Sequence, residues 1–243
     1  MEGLNKVKTR NQCAECDRHS RSFFCDLSRN NLQISEPLKM TNYYAKGSRL
    51  FIEGQPSTGV YLLCGGSVKL STCSKDGKVI ILHIAEAGDI LGLSATVSES
   101  FQIATAEALE PCRVNFIEKK DFLRFIEQNP QVCFSVLKQL SHDYHTACLQ
   151  ICALGLYASV ADKLATLFLG WSEKESEESD GIHIKIAYTH EDIAQMIGTS
   201  RETVTRILKN FRERKLIKRR GSELIIPDRS KLEAVIGSRQ KTI

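Results

Sequence analysis

The pattern of apolar and polar residues divides the chain into a β-rich part and a helical part. Short β-branched runs separated by glycine predict strands from Tyr43 to about Phe116. We expect these strands at Leu50–Ile52, Val60–Leu63, Val68–Ser71, Val79–Ile84 and Ala104–Ala108. Asp76–Gly77 between two of them predicts a two-residue hairpin. Several short strands at this spacing predict a sandwich, barrel or jelly roll.

After Pro130 the spacing of apolar residues becomes helical. Glycine and proline are absent from Gln131 to Leu154, which predicts a helix of more than about twenty residues, on the order of 35 Å long. A heptad seam follows it at Leu137, Leu140, Tyr144, Ala147, Ile151 and Leu154. The seam predicts a dimer interface, the alternative being an amphipathic helix on its own domain. A further helix at Ser159–Trp171 and an exposed acidic loop at Ser172–Asp180 are expected next.

The C-terminal quarter carries the pattern of two short helices joined by a tight turn. Thr189 is placed to cap the first helix, and Asp192 completes a capping box with it. Gly198 is suited to end that helix in a left-handed conformation, and Ser200 to cap the second. Two helices joined by a short turn that contains glycine form the DNA-binding helix-turn-helix.

The second helix has an apolar face and a charged face. Val204, Ile207, Leu208 and Phe211 are expected to point inward. Arginine side chains bind guanine with two hydrogen bonds, and a glutamate accepts from cytosine. We therefore expect DNA contacts from Ser200, Arg201, Glu202, Thr205, Arg206 and Lys209. A strand at Ser222–Ile226, turned by Gly221 behind a basic run, makes this a winged helix-turn-helix.

The charge distribution agrees with nucleic-acid binding. The chain of 243 residues has a net charge of +4, but residues 181–243 hold 14 of the 33 basic and 7 of the 29 acidic residues. The C-terminal part is therefore basic and the remainder is acidic, as in proteins that bind nucleic acid. No apolar run reaches the roughly 18 residues of a membrane helix. With no secretory signal in residues 1–12, we expect a cytoplasmic protein without a membrane partner.

Three of the nine cysteines lie close together in the polar N-terminal segment, at Cys13, Cys16 and Cys25. Thiolates at this density suit an iron–sulfur cluster or zinc. His19 follows with Cys-x2-Cys-x2-His spacing, which permits a zinc site with Cys25. Simple reactive or structural thiols are the third interpretation.

These motifs together resemble the catabolite-activator and fumarate–nitrate-regulator (Crp/Fnr) family of bacterial transcription factors. Residues 193–206, Ile-Ala-Gln-Met-Ile-Gly-Thr-Ser-Arg-Glu-Thr-Val-Thr-Arg, resemble the family's helix-turn-helix. The stretch from Gly88 to Leu93 resembles its cyclic-nucleotide-binding jelly roll, and the seam helix matches its dimer helix. The resemblance covers about Tyr43 to Ile236.

The resemblance implies an α+β fold with a β jelly roll, a long dimerisation helix and a winged helix-turn-helix domain. We place these at residues 36–129, 130–157 and 158–243, after a cysteine-bearing segment at 1–35. A homodimer on a palindromic site that contacts RNA polymerase is implied. The base-reading positions then fall on Arg201, Glu202, Thr205 and Arg206.

The resemblance also bears on the signal. In members that bind cyclic AMP, an Arg-Ser pair holds the phosphate; here Gln102 and Ile103 stand at those positions, so we expect no cyclic AMP binding. The N-terminal cysteines resemble the [4Fe–4S] ligands of the oxygen-sensing branch, with Cys112 as the candidate fourth ligand. The alternative function is an enzyme or small-molecule-binding protein on the β roll, with the helix-turn-helix as a protein contact. No catalytic constellation stands out, so we expect no enzyme.

Overall fold

The computed structural model describes residues 40–156, 159–173, 175–186 and 188–236. They form two compact units, one of residues 40–76 and 81–146, the other of residues 77–80 and 147–236. The division falls inside the long helix, between residues 146 and 147. The sequence prediction instead gives this helix a segment of its own.

The first unit contains two four-stranded antiparallel sheets. The strands are β1 (Met40–Tyr44), β2 (Arg49–Phe51), β3 (Gly59–Gly65), β4 (Ser67–Cys73), β5 (Val79–Glu86), β6 (Ile90–Leu91), β7 (Thr105–Ala108) and β8 (Cys112–Glu118). One sheet has the order β1-β8-β3-β6 and the other β2-β7-β4-β5. The helices of this part are α1 (Leu93–Val97), α2 (Lys119–Gln128) and α3 (Pro130–Leu156).

Strand β3 is buried on both of its faces. Tyr61 and Leu63 belong to a core cluster that draws residues from both sheets. Val60 and Leu62 belong to a second cluster, which includes residues of α2 and the first turns of α3. The continuous apolar run at residues 60–63 therefore reflects burial on two sides rather than one.

The structure confirms the five predicted strands, each to within two residues at either end. The prediction of a two-residue hairpin at Asp76–Gly77 is wrong, because β4 ends at Cys73 and β5 begins only at Val79. The polar residues around Asp76 do not join the ladder, and Gly77 takes a positive φ of 80° within this longer connection. The 27-residue helix α3 confirms the predicted long helix.

The second unit contains the C-terminal helices and a small sheet. Its further elements are α4 (Val160–Ser172), β9 (Glu177–Glu178), β10 (Gly181–Lys185), α5 (His190–Ile197), α6 (Arg201–Glu213), β11 (Lys218–Arg220), β12 (Glu223–Ile226) and α7 (Arg229–Glu233). The sheet has the order β11-β12-β10-β9. The loop prediction for Ser172–Asp180 is wrong in part, because β9 lies within it and pairs with β10.

Candidate nucleic-acid interface

The two helices α5 and α6 begin and end where their sequence predicts. Thr189 accepts a hydrogen bond from the Asp192 backbone N–H at 3.1 Å, and the Asp192 carboxylate accepts one from the Thr189 N–H at 2.9 Å. Gly198 ends α5 with a φ of 67°. Ser200 caps α6 by accepting from the Thr203 N–H at 3.3 Å. These caps satisfy helix-terminal N–H groups and fix the turn between the helices.

Helix α6 buries one face and exposes the other. Val204, Leu208 and Phe211 are buried in the unit, while Ile207 is half-buried. The exposed face carries every residue predicted to contact DNA from within the helix: Arg201, Glu202, Thr205, Arg206 and Lys209. The N-terminal cap Ser200 is exposed beside them. This is the arrangement by which a recognition helix presents its first turns to base edges.

Thr205 is connected to both helices of the motif. Its hydroxyl donates to the backbone oxygen of Arg201 at 2.9 Å, and the same oxygen atom lies 2.9 Å from His190 Nδ1. Because a hydroxyl has one hydrogen, His190 Nδ1 is the donor in the second bond. The Thr205 hydroxyl is thus used within the protein. Sequence reasoning missed His190, since nothing local marks this contact.

Two titrating groups of the helix-turn-helix, one in α5 and one in α6, have pKa values set by their surroundings. Hydrogen bonds from its own backbone N–H and from the Ser200 hydroxyl lower the pKa of Glu202, which keeps the carboxylate ionised. Burial, followed by the charges of Arg219, Arg201 and Arg212, lowers the pKa of His190. A neutral His190 therefore lies among cations at this face.

The basic hairpin β11–β12 forms the wing. All three residues of β11, Lys218, Arg219 and Arg220, are exposed. Gly221 turns the hairpin with a φ of 61°, and Arg219 Nε donates to its backbone oxygen at 3.1 Å. The wing therefore adds cations to the basic face of the unit, as DNA phosphates require.

Two family models match the chain, and they cover its two parts in order. The Crp-like helix-turn-helix domain matches residues 162–235, and the cyclic nucleotide-binding domain matches residues 41–129. The cAMP-activated global transcriptional regulator CRP of Pasteurella multocida (strain Pm70) is 32% identical over 187 residues, which are 75% of this chain and 88% of that relative. The chain belongs to the Crp/Fnr family. It is a DNA-binding transcription regulator of that type, and its relatives are not enzymes.

Solved structures share the fold of this Crp/Fnr protein. FixK2 from Bradyrhizobium japonicum has a TM-score of 0.71 at 20% identity, covering 82% of this chain and 97% of FixK2. A CooA mutant from Carboxydothermus hydrogenoformans has a TM-score of 0.71 at 22% identity, covering 82% and 88%. Both confirm the nucleotide-binding-type β domain followed by the helix-turn-helix. In the described part of the chain, no helix is long and apolar enough to cross a membrane.

The predicted seam residues of α3 differ in their surroundings. Leu137, Tyr144 and Ile151 are 57%, 74% and 69% exposed, and Ala147 is exposed as well. Leu140 instead packs against the core cluster of its own unit. Leu154 is half-buried and lies against the Gly198 turn of the same unit. Helix α3 therefore has an exposed apolar stripe, but Leu140 and Leu154 of the predicted seam pack partly against residues of their own chain.

Cys112 lies in the core of the β domain. It is buried, and its sulfur lies 3.3 and 3.1 Å from the backbone oxygens of Ser67 and Glu110, either of which can accept its one hydrogen. Burial is the main reason that the pKa of Cys112 is raised, so the thiol stays protonated. A thiol binds a metal as the thiolate, and a bound metal ion itself lowers the thiol pKa, so Cys112 as the fourth ligand stays a prediction. Cys13, Cys16 and Cys25 lie outside the described residues.

Gln102 and Ile103, the residues expected in place of the phosphate-binding Arg-Ser pair, differ in their exposure to solvent. Gln102 is buried, and its side-chain nitrogen would lie 3.2 Å from a Cβ placed on Gly92. Ile103 is 69% exposed. An uncharged amide and an exposed aliphatic side chain therefore stand at these two positions.

Proposed function

We propose that the protein regulates transcription as a homodimer that reads a palindromic DNA site through α6 of each subunit. The main supporting observation is that Arg201, Glu202 and Arg206 are exposed together in the first two turns of α6. The opposite face of this helix is buried in its own unit. Contact with RNA polymerase, implied by the family, would turn this binding into regulation.

The stripe on α3 supports the homodimer. Leu137, Tyr144 and Ile151 recur every seven residues and expose most of their apolar surface. A second copy of the same helix would cover this surface in a coiled coil, with each residue facing its own symmetry mate. Two recognition helices related by a twofold axis require an inverted repeat whose half-sites lie about 34 Å apart, one turn of DNA.

Selection from random duplex DNA followed by footprinting tests this function. The expected result is a protected inverted repeat whose affinity falls steeply with rising salt, because bound phosphates release counterions. Selected sites without an inverted repeat, or no protection with and without reductant, would contradict it. Sedimentation equilibrium of the free protein tests the dimer separately.

Redox control is the second part of the proposal, and it rests on Cys13, Cys16 and Cys25. Three thiols in one short segment suit oxidation, iron–sulfur chemistry or zinc. Cys112 as the fourth ligand stays a prediction. The test is iron, sulfide and zinc analysis of protein purified without oxygen, carried out on the parent, Cys13→Ser and Cys112→Ala. Metal that is lost in Cys13→Ser supports the proposal, and its loss or retention in Cys112→Ala decides whether Cys112 is a ligand, whereas a metal-free, oxidation-insensitive protein would contradict the proposal.

We propose further that the β domain does not bind cyclic AMP. The supporting observation is that Gln102 supplies no positive charge and Ile103 no hydroxyl, so that a bound phosphate would lack its ion pair and a donor. Calorimetric titration with cyclic AMP tests this, and saturable binding at micromolar concentration would overturn it. The matched variant is Gln102→Arg/Ile103→Ser, which restores the Arg-Ser pair and is titrated with cyclic AMP in the same way.

A further inference from the structure

One histidine and three carboxylates lie together on the sheet of the second unit, outside the residues assigned to DNA contact. His183 belongs to β10, Glu178 and Asp180 come from the adjoining hairpin, and Glu223 belongs to β12. The ligand atoms of Glu178, Asp180 and His183 all lie within 4.8 Å of one another. We propose that these three residues bind a divalent transition-metal ion, with Glu223 orienting the imidazole.

The distances show that the single hydrogen on His183 Nε2 cannot bond to both of the carboxylates that face this nitrogen. His183 Nε2 lies 2.6 Å from Asp180 Oδ1 and 3.8 Å from Glu178 Oε2. A ring nitrogen carries one hydrogen at most, and Asp180 accepts it, so the Glu178 carboxylate faces a second carboxylate. A metal ion bonded to all three ligand atoms at about 2.1 Å would attract both carboxylates at once. Ligand atoms bonded to one ion at that distance lie roughly 3.4 Å apart in tetrahedral geometry, so Asp180 Oδ1 would move away from its hydrogen-bonded position 2.6 Å from Nε2.

The second ring nitrogen of His183 faces the third carboxylate of the cluster. Nδ1 lies 3.4 Å from Glu223 Oε2, a residue forty positions away in the sequence. When one ring nitrogen of a histidine binds a metal, the other commonly donates a hydrogen bond to a carboxylate. This bond fixes the tautomer and the orientation of the ring. Glu223 therefore selects Nε2 as the ligating atom, and Nε2 is the nitrogen that faces Glu178 and Asp180.

The fold brings the three residues close together before any ion binds. Glu178 pairs with Gly181 across the β9–β10 hairpin, which brings Asp180 beside His183. Gly181 has a φ of 125° and packs against the Ile226 backbone oxygen, so no other residue fits there without strain. The His183 side chain is only 15% exposed, and its ring is therefore held in position.

Donor chemistry indicates the class of ion. One imidazole and two carboxylates suit zinc, manganese or ferrous iron rather than calcium or a soft monovalent ion. Zinc binds such ligands more tightly than manganese or iron in the general order of divalent metals, so it is the appropriate probe. Arg220 competes with the ion for one carboxylate, because its Nη2 lies 3.6 Å from Asp180 Oδ2.

The test is calorimetric titration of zinc chloride into the full-length chain carrying Cys13→Ser, Cys16→Ser and Cys25→Ser, which removes the N-terminal thiols. We expect one zinc per chain and an increase in melting temperature on zinc addition. His183→Gln and Glu178→Gln should each weaken binding by more than about tenfold, and Glu223→Gln by about tenfold, as for an orienting carboxylate. The control is His145→Gln on α3, which lies outside the cluster and should leave the zinc affinity unchanged.

Two results would overturn the proposal: no zinc binding at micromolar concentration, or binding that both His183→Gln and Glu178→Gln leave intact. Melting curves without zinc show whether a variant is folded, and Glu178 is 64% exposed, so its substitution spares the core. The experiment contains no DNA, and its outcome is therefore separate from that of the proposed function.

Discussion

His190 Nδ1 donates to the Thr205 hydroxyl at 2.9 Å, which ties the first residue of α5 to the second turn of α6. The same hydroxyl donates to the Arg201 backbone oxygen at 2.9 Å. The first bond holds the recognition helix against a partner whose own N-terminus is fixed by a capping box, and the second bond lies within α6. The exposed side chains of α6 are therefore presented by a pair of helices rather than by α6 alone.

Thr205→Val tests this connection because it keeps the branched shape and removes the hydroxyl. The loss of a hydrogen bond of this kind typically costs about 0.5–1.5 kcal/mol, so we expect a reduction of that size in the free energy of unfolding, measured in urea. Thr205→Ser is the matched control, since it keeps the hydroxyl and removes the methyl group. It should retain most of the stability but lose any preference for thymine at the contacted base. Equal stability of Thr205→Val and the parent would show that the bridge contributes nothing.

Arg206 and Lys209 should differ in what they contribute to DNA binding. Both are exposed on α6, but an arginine placed to bind guanine discriminates among bases whereas a phosphate-binding lysine does not. Arg206→Ala should cost about 1–3 kcal/mol on the selected site and relax specificity at one base pair. Lys209→Ala should weaken all sequences alike and reduce the salt slope by about one. Binding curves on the selected site and on scrambled DNA check both; a uniform loss for Arg206→Ala would contradict its assignment.

The helix-turn-helix was predictable because its signals are local. Thr189, Gly198 and Ser200 each act within four residues of their own position, so spacing alone marks the helix ends. The role of His190 was not predictable, since it depends on a contact fifteen residues away in the sequence. The strand β9 was missed for a related reason: its two glutamates have low strand preference, and pairing with β10 overrides it.

The heptad seam shows a different limit of sequence reasoning. Periodicity identifies the apolar residues of α3, but it does not distinguish those covered by the same chain from those left exposed. Leu140 packs on the first unit and Tyr144 is 74% exposed, although both fit the same repeat. The burial of Cys112 was not predictable either, because it depends on the neighbouring strands and on the close approach of Gly66.

Substitutions on α3 should separate dimerisation from folding. Ile151→Asp places a charge in the exposed stripe, where a second copy would bury it unpaired, so we expect monomers in sedimentation equilibrium. Its effect on the melting temperature should be small, because Ile151 is 69% exposed. Leu140→Ala should do the opposite, lowering stability by about 1–3 kcal/mol through lost packing while the protein remains a dimer. A dimeric Ile151→Asp protein would place the interface elsewhere.

The lowered pKa of His190 predicts how stability changes with pH. Burial and the charges of Arg219, Arg201 and Arg212 hold its pKa below the ordinary value of 6.5, so the unfolded chain takes up the proton more readily than the folded one. The contribution to stability is therefore complete above the unfolded pKa and is lost as the pH falls through the folded pKa. We expect the free energy of unfolding, measured in urea at about pH 7.5 and about pH 5, to fall more in the parent than in His190→Gln. Because all other titrating groups are common to both proteins, parallel losses in the two would show that His190 has the same pKa folded and unfolded.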